Sequence, residues 1–406
     1  EDYKTNYEAT FAAQLMYPSI AHYEVMPWPS RIFTGSYQKE GAQERVGIPE
    51  AYATEILVLI NALNQMKPGE DTIPGTQGVG VLLSDTMMFQ RFPTHAGYED
   101  PRLSNFYGMA LPLLKHGVPV RLVQMENLEH AGALDGVRVL LMSYANMKPL
   151  RPEYHQALAE WVRGGGVLIY IGRNDDPFQT IREWWNNQGQ NQNTPFDHLF
   201  HDTLKLDTAQ SQREWPVEKG RVIWLENDPK ELVLSAGGAR QLLGRIETAG
   251  IPSNGKNWLH LRRGPYDIAA VLEESVSTDP YRIAGPVIDL FDPALPVLEE
   301  KGIRPGERAF LYNLARVSDK PPCVLAAASR AYEEIRTDRS YAFVMKGPAA
   351  TRGLARILLP EKPEKVEGKD PTGRAIDLQP QWDAKTKTLL VKYPNHPDGV
   401  RMTVEF

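Results

Sequence analysis

The chain has 406 residues, enough for two or three domains with cores of their own. Its 42% hydrophobic and 24% charged residues are ordinary for a globular protein, and a net charge of -6 argues against a nucleic-acid partner. The longest apolar runs, residues 56–60 and 323–328, are far too short to cross a bilayer, so no membrane partner is expected.

Cys323 is the single cysteine, which excludes an internal disulfide and any zinc ribbon. It leaves the compartment open, because exported bacterial proteins also often lack disulfides.

In chain order, residues 6–16 read as a helix capped by Asn6, with Tyr7, Phe11 and Leu15 at helical spacing and Pro18 as its stop. Residues 20–26 read as a short strand, ended by the Pro27-Trp28-Pro29 turn. A polar loop follows, then a second helix behind Pro49, with Ala53, Ile56, Leu57, Ile60 and Leu63 on one stripe. One strand and two helices cannot bury their own faces. Residues 1–70 are therefore expected to be the incomplete last βα unit of a (β/α)8 barrel of the TIM type. A start at Glu1 without Met or leader fits a piece of something longer.

From residue 71 to 250 the pattern alternates between strand and helix. Strands are expected over 79–83, 118–123, 137–142, 167–171 and 221–225, with helices over 105–115, 152–163 and within 229–248. Such an order predicts a doubly wound α/β domain with a largely parallel sheet, of the flavodoxin and class I amidotransferase type. From 251 to 406 short apolar runs between turn residues predict an all-β, β-sandwich-rich domain.

Glu24 is the leading candidate for chemistry. It lies near the C-terminal end of the strand expected over 20–26, where (β/α)8 enzymes carry catalytic groups. Glycoside cleavage commonly uses two carboxylates, one giving a proton to the leaving oxygen and the other attacking C1 or activating water. Trp28 offers a face for a sugar ring, and His22 and Arg31 are polar neighbours for substrate binding. The bland alternative is that Glu24 pairs with Arg31 or binds substrate without doing chemistry. A second carboxylate would have to come from residues upstream of this chain.

No cofactor is expected. Ser84 and Asp85 follow the first strand of the α/β domain, but Gly78 and Gly80 precede and open that strand, so the GxGxxG order is absent. No cysteine follows the strand 167–171, where an amidotransferase-like fold carries its nucleophile, and that domain is read as non-catalytic. The run Asp197-His198-x-x-His201-Asp202 is read as a solvated loop rather than a metal site.

The stretch 134–144 (LDGVRVLLMSY), then 150–154 (LRPEY) and 158–169 (LAEWVRGGGVLI), resembles the β-galactosidase trimerisation domain of glycoside hydrolase family 42 and its relatives. That resemblance implies an amidotransferase-like fold lacking its cysteine, preceded by a barrel and followed by a small β domain. It further implies a bacterial β-glycosidase acting on oligo- or polysaccharide, compatible with a secreted or periplasmic location. It also implies an α/β domain that packs on a neighbouring subunit in a homo-oligomer. Catalysis would need the missing N-terminal barrel portion or a partner chain. The alternatives are a non-enzymatic carbohydrate-binding or oligomerisation module and, disfavoured by the missing cysteine, an active amidotransferase-like hydrolase.

Overall fold

The computed structural model describes every residue except 1, 2, 18, 19, 21, 25–28, 39, 42, 68–70, 73–76, 90–104, 176, 177, 188, 253–255, 274, 276 and 318. It divides into two compact units. The first comprises 1–74, 260–273 and 278–406, and the second 75–259 with 274–277. The architecture is mixed α/β.

The chain opens with helices α1 (Tyr3–Leu15) and α2 (Pro29–Phe33), the hairpin β1 (Ser36–Gln38) and β2 (Arg45–Gly47), helix α3 (Glu50–Gln65) and the short strand β3 (Asp71–Thr72). Asn6, expected as a cap, lies inside α1, where its carbonyl accepts the Thr10 hydroxyl. Of the strand expected over 20–26, residues 21, 25 and 26 lie outside the described residues, and no strand forms among the rest. The described residues 20 and 22–24 run as coil, and their polar groups bond to a buried arginine instead of to a neighbouring strand.

The second unit carries β4 (Val79–Leu83), α4 (Thr86–Phe89), α5 (Asn105–Leu114), β5 (Arg121–Gln124), β6 (Val139–Met142), α6 (Glu153–Arg163) and β7 (Val167–Ile171). It continues with α7 (Pro195–Asp197), β8 (Glu214–Val217), β9 (Gly220–Leu225), α8 (Pro229–Leu234) and α9 (Ala236–Thr248). The strands form one sheet in the order β5-β4-β6-β7-β9-β8, parallel except for β8 at the edge.

Period-2 alternation sends Val79, Val81, Val139, Leu141, Ile169 and Ile171 to one face, where they meet apolar residues of α5 and α9. Leu82, Leu140, Met142, Leu168 and Tyr170 go to the other, against Tyr154, Leu158, Ala159 and Val162 of α6. Both faces are covered, so the strands read as continuous apolar runs. A Cβ on Gly108 would lie 2.1 Å from the Pro229 carbonyl oxygen, so the glycine lets α5 approach α8 at backbone distance. The single helix expected within 229–248 is two helices, split at Ser235, whose hydroxyl caps α9 by accepting from the Gly238 N–H.

The first unit resumes with β10 (Trp258–Arg263), β11 (Tyr266–Val271), β12 (Tyr281–Asp289), β13 (Val297–Ile303), β14 (Arg308–Asn313), β15 (Cys323–Ala327) and β16 (Arg330–Arg336). It ends with β17 (Ser340–Lys346), β18 (Arg352–Leu358), β19 (Lys365–Lys369), β20 (Gln379–Asp383), β21 (Thr388–Pro394) and β22 (Val400–Glu405). Three sheets result, ordered β13-β12-β14-β11-β10-β3, β15-β18-β21-β20 and β16-β17-β22-β19. The last two share one apolar cluster, in which Ile357, Leu389 and Val391 of one meet Phe343, Met402 and Val404 of the other.

The opening helices do not wait for absent strands. Phe11 of α1 packs on Phe310 of β14 with ring centres 5.5 Å apart, and α3 lays Ile56, Leu57 and Leu59 into a core that includes Leu325, Ala326 and Leu354. Burying those stripes against the β strands removes the apolar surface that the sequence alone leaves unaccounted for.

Candidate functional site

Glu24 and His22 sit on the exposed coil that follows α1, and Arg31 is exposed on α2. Trp28 lies outside the described residues. The structure thus brings His22 and Glu24 onto one short segment and sets Arg31 on the helix that follows.

What shapes that segment is a residue the sequence reading missed. Arg263, at the end of β10, is 2% exposed. Its Nη1 donates to the Ile20 carbonyl at 3.1 Å and to the Tyr23 hydroxyl at 2.9 Å, and its Nη2 donates to the Tyr17 carbonyl at 2.6 Å. The Tyr23 hydroxyl in turn donates to the Ile20 carbonyl at 2.8 Å. A planar guanidinium with several fixed donors can hold such a curved backbone, whereas a lysine cannot satisfy it at once. The coil is therefore clamped on its inner side, while Glu24 and its neighbour His22 stay in solvent. No sequence signal marks Arg263, because an arginine beside a turn is ordinarily a surface residue.

In the second unit, Ser84 and Asp85 do follow a strand at the carboxyl edge of the parallel sheet, where ligands of open α/β sheets bind. Their groups are already engaged. The Ser84 hydroxyl donates to Glu126 Oε1 at 2.7 Å, and Gln124 Nε2 donates to Asp85 Oδ1 at 2.9 Å and to Glu126 Oε2 at 2.6 Å. The Thr86 hydroxyl donates to the Lys148 carbonyl at 2.9 Å and accepts from its N–H at 2.8 Å. This network ties the loops after β4, β5 and β6 together.

Gly172 follows β7, and its carbonyl accepts the Trp224 indole N–H at 2.8 Å. Cys323 is a buried thiol pushed up to about 11 by burial, the opposite of what a thiolate nucleophile needs.

The segment 197–202 is helical, not a solvated loop. Thr194 caps α7 with Pro195 in the first turn, and residues His198–Thr203 continue as a π-helix that buries Leu199 and Phe200. His198 is buried, with Nδ1 2.8 Å from His155 Nδ1, while His155 Nε2 lies 2.6 Å from the Tyr144 hydroxyl. Trp184 sets its ring edge-on to both imidazoles. Burial drives His155 well below the ordinary imidazole range, helped by the neighbouring His198, and burial lowers His198 as well. Among the described residues, no group of three His, Cys, Asp or Glu side chains is arranged to hold a metal.

No family model and no curated protein matches the chain. Among solved structures the chain is similar to Gan42B, a GH42 β-galactosidase, at 12% identity over 64% of this chain and 43% of that one, with a TM-score of 0.37. It is also similar to the β-galactosidase of Bacillus circulans sp. alkalophilus, at 10% identity over 64% and 43% of the two chains and a TM-score of 0.36. A third is the β-galactosidase of the psychrophilic Marinomonas ef1, at 14% identity over 64% and 41% and a TM-score of 0.33. These neighbours are glycoside hydrolases, and the chain spans less than half the length of each.

Proposed function

We propose that this chain is the C-terminal part of a bacterial glycoside hydrolase of the family 42 β-galactosidase type, acting on oligo- or polysaccharide. The observation that carries the reading is the resemblance over 134–169. Those residues fold as strand, turn, helix, glycine break and strand at the centre of a parallel sheet, with Gly172 after the second strand. In this reading the second unit is a doubly wound, amidotransferase-like domain that has lost its chemistry and serves assembly into a homo-oligomer. The paired four-stranded sheets are the C-terminal β-sandwich.

Residues 1–70 would adjoin a (β/α)8 barrel supplied upstream. Glu24 would then be one of two carboxylates at the sugar, with His22, Trp28 and Arg31 binding the substrate. One carboxylic acid protonates the leaving oxygen while the other attacks C1 or activates water, so a segment bringing a single carboxylate cannot complete the cycle.

The isolated 406-residue chain is expected to show no turnover of aryl β-galactosides. The longer gene product is expected to hydrolyse them, with Glu24→Gln lowering kcat by about 10³-fold. Hydrolysis by the isolated chain, or an unchanged kcat in a folded Glu24→Gln variant, would remove the catalytic assignment.

A second reading is favoured by the exposed coil around Glu24. It makes the protein a non-enzymatic carbohydrate-binding or oligomerisation module. It expects sugar binding without hydrolysis in the longer protein too.

A further inference from the structure

The outer face of the sheet β16-β17-β22-β19 belongs to none of the readings above. Its inner face puts Phe343, Met345, Met402 and Val404 into the sandwich core, so period-2 alternation turns the intervening residues outward. Register then sets them in rows that cross the strands. Arg330 of β16 stands opposite Lys346 of β17, and the next row runs Tyr332, Val344, Arg401, Lys369 across all four strands. Each strand therefore brings one cation to the same end of the face. Adjacent strands lie about 4.8 Å apart, so the stripe is roughly 15 Å long.

Edge protection accounts for Arg330 and Lys369, because β16 and β19 are edge strands. It does not account for Lys346 and Arg401, which lie on the two interior strands. The far end of the same face is balanced: Lys365 pairs with Glu367 at 3.0 Å and stands opposite Glu405. Three carboxylates border the cationic end. Glu333 pairs with Arg401 at 3.0 Å. Asp370 accepts the Thr372 hydroxyl and the N–H groups of Thr372 and Arg374 within its own turn, and Asp398 is 81% exposed on the turn before β22. Arg330, Lys346 and Lys369 are exposed, and among the described residues none of the three has a carboxylate within 4 Å.

An exposed aromatic completes the site. The Tyr332 ring has the Arg330 guanidinium carbon 5.7 Å and the Lys346 ammonium 5.4 Å from its centre, and the exposed Ile335 lies on the same face one row further on. Two cations held at one ring repel each other, and a bound anion relieves that repulsion. The ring itself gives a sugar a flat apolar wall. The chain's net charge of -6 is screened beyond about 8 Å at physiological salt, so the local cations decide what docks here.

A cationic stripe that crosses strands fits a linear chain carrying acidic groups at intervals. We propose that this face binds an acidic polysaccharide, with its sulfate or carboxylate groups on Arg330, Lys346, Arg401 and Lys369 and one sugar ring against Tyr332. The choice of a polysaccharide over other polyanions rests on Tyr332 and on the glycosidase reading, while the stripe itself takes no part in catalysis.

The test is affinity electrophoresis and calorimetry of the intact 406-residue chain. Chondroitin sulfate and polygalacturonate are the acidic probes, dextran is the neutral one, and single-stranded DNA and poly-glutamate are the other polyanions. At least one acidic polysaccharide is expected to bind saturably at low salt, with an affinity that falls as salt rises. Lys346→Gln and Arg401→Gln are each expected to weaken binding by about threefold and Tyr332→Ala by about fivefold. Lys365→Gln, at the far end of the face, is expected to leave it unchanged. All four side chains are exposed, so each variant is expected to fold as the parent does. Absence of saturable binding to either acidic polysaccharide, equal binding of dextran, or a Lys365→Gln loss as large as that of Lys346→Gln overturns the site. DNA or poly-glutamate bound more tightly than both acidic polysaccharides overturns the choice of ligand. Acidic-polysaccharide binding without hydrolysis of aryl β-galactosides by the longer gene product sinks only the glycosidase reading, and hydrolysis without that binding sinks only this site.

Discussion

The two units bury different kinds of polar cluster. The α/β unit hides a phenol and two imidazoles in a row. Tyr144, His155 and His198 sit in one chain of contacts, and burial holds the imidazoles neutral. The β-rich unit hides charge and pairs it. Asp267, 1% exposed, takes His260 Nε2 at 2.8 Å, Arg316 Nη2 at 2.6 Å and Asn313 Nδ2 at 3.2 Å, while His260 Nδ1 meets the Tyr281 hydroxyl at 2.8 Å. Arg356, pushed down to about 10 by burial, donates to the Leu295 carbonyl and the Thr388 hydroxyl. A parallel sheet covered on both faces presents mostly apolar side chains to its cores, and the imidazoles buried beside it are held neutral. Antiparallel sheets place arginines and carboxylates from neighbouring strands within reach of each other.

The largest expected effect comes from breaking a pair in the β-rich unit. Asp267→Ala strips the partner from His260, Arg316 and Asn313 and is expected to cost about 3–5 kcal/mol. Urea unfolding followed by probes of each unit reads it, and the loss should fall on the β-rich unit. Asp267→Asn, which keeps the shape and some of the bonds, should cost less. Equal behaviour of the two variants would mean that charge pairing is not what stabilises this cluster.

The next effect is acid sensitivity of the α/β unit. His155 and His198 have folded-state values below the ordinary imidazole value of about 6.5. Their contribution is complete above about pH 6.5 and is lost as pH falls below it, at up to about 1.4 kcal/mol per pH unit for each proton taken up on unfolding. Thermal unfolding from pH 7.5 to 5 should show the α/β unit falling, and His155→Phe should flatten that fall. Burial alone would raise Asp267, but the bonds from His260, Arg316 and Asn313 hold it below the usual carboxylate range, so its contribution persists to lower pH.

A third effect runs the other way. Glu55 is fully buried on α3, 3.1 Å from Lys4, and burial lifts it to about 8 against the lowering pull of Lys4. Its folded value is raised, so its contribution is complete below the unfolded value near 4.5 and is lost as pH rises through about 8. Glu55→Gln should remove the part of the β-rich unit's loss that runs from about pH 4.5 to 8. Parallel stability curves for parent and variant over that range would refute the assignment.

The same contrast decides how much could be read from the chain. In the α/β unit the runs 79–83, 139–142 and 167–171 are apolar throughout because both faces are buried, and each was legible as a strand. In the β-rich unit the strands that showed, such as β14, β17, β21 and β22, are interior or strongly apolar. Those that did not, β13, β16, β19 and β20, are edges of their sheets; the first three carry Glu with Lys or Arg, and β20 carries Gln, Pro and Asp. Charged edges protect a sheet from adding strands, and the same charges erase its hydrophobic alternation. β18 escaped for another reason: Arg352, Gly353 and Arg356 interrupt its apolar run, and Arg356 is paid for by partners far away in sequence. Of the candidate site, Glu24 and its neighbours were legible as residue types, but their anchoring was not. The clamp on Tyr17, Ile20 and Tyr23 comes from Arg263, some 240 residues later. Arg330, Lys346, Arg401 and Lys369 become neighbours only through the register of β16, β17, β22 and β19.

The β-rich unit is assembled from both sides of an intervening one: residues 1–74 join residues beyond 260, with 75–259 forming a core of their own. Synthesis therefore delivers the two units in an order different from that in which they begin. Helices α1 and α3 emerge before the α/β unit, and the strands that cover their apolar stripes come after it. That unit has all its strands by residue 225 and can close while the ribosome is still working. Once folded, it replaces a flexible tether of about 185 residues with a body of fixed end-to-end span, and the entropy of bringing the two separated parts together falls accordingly.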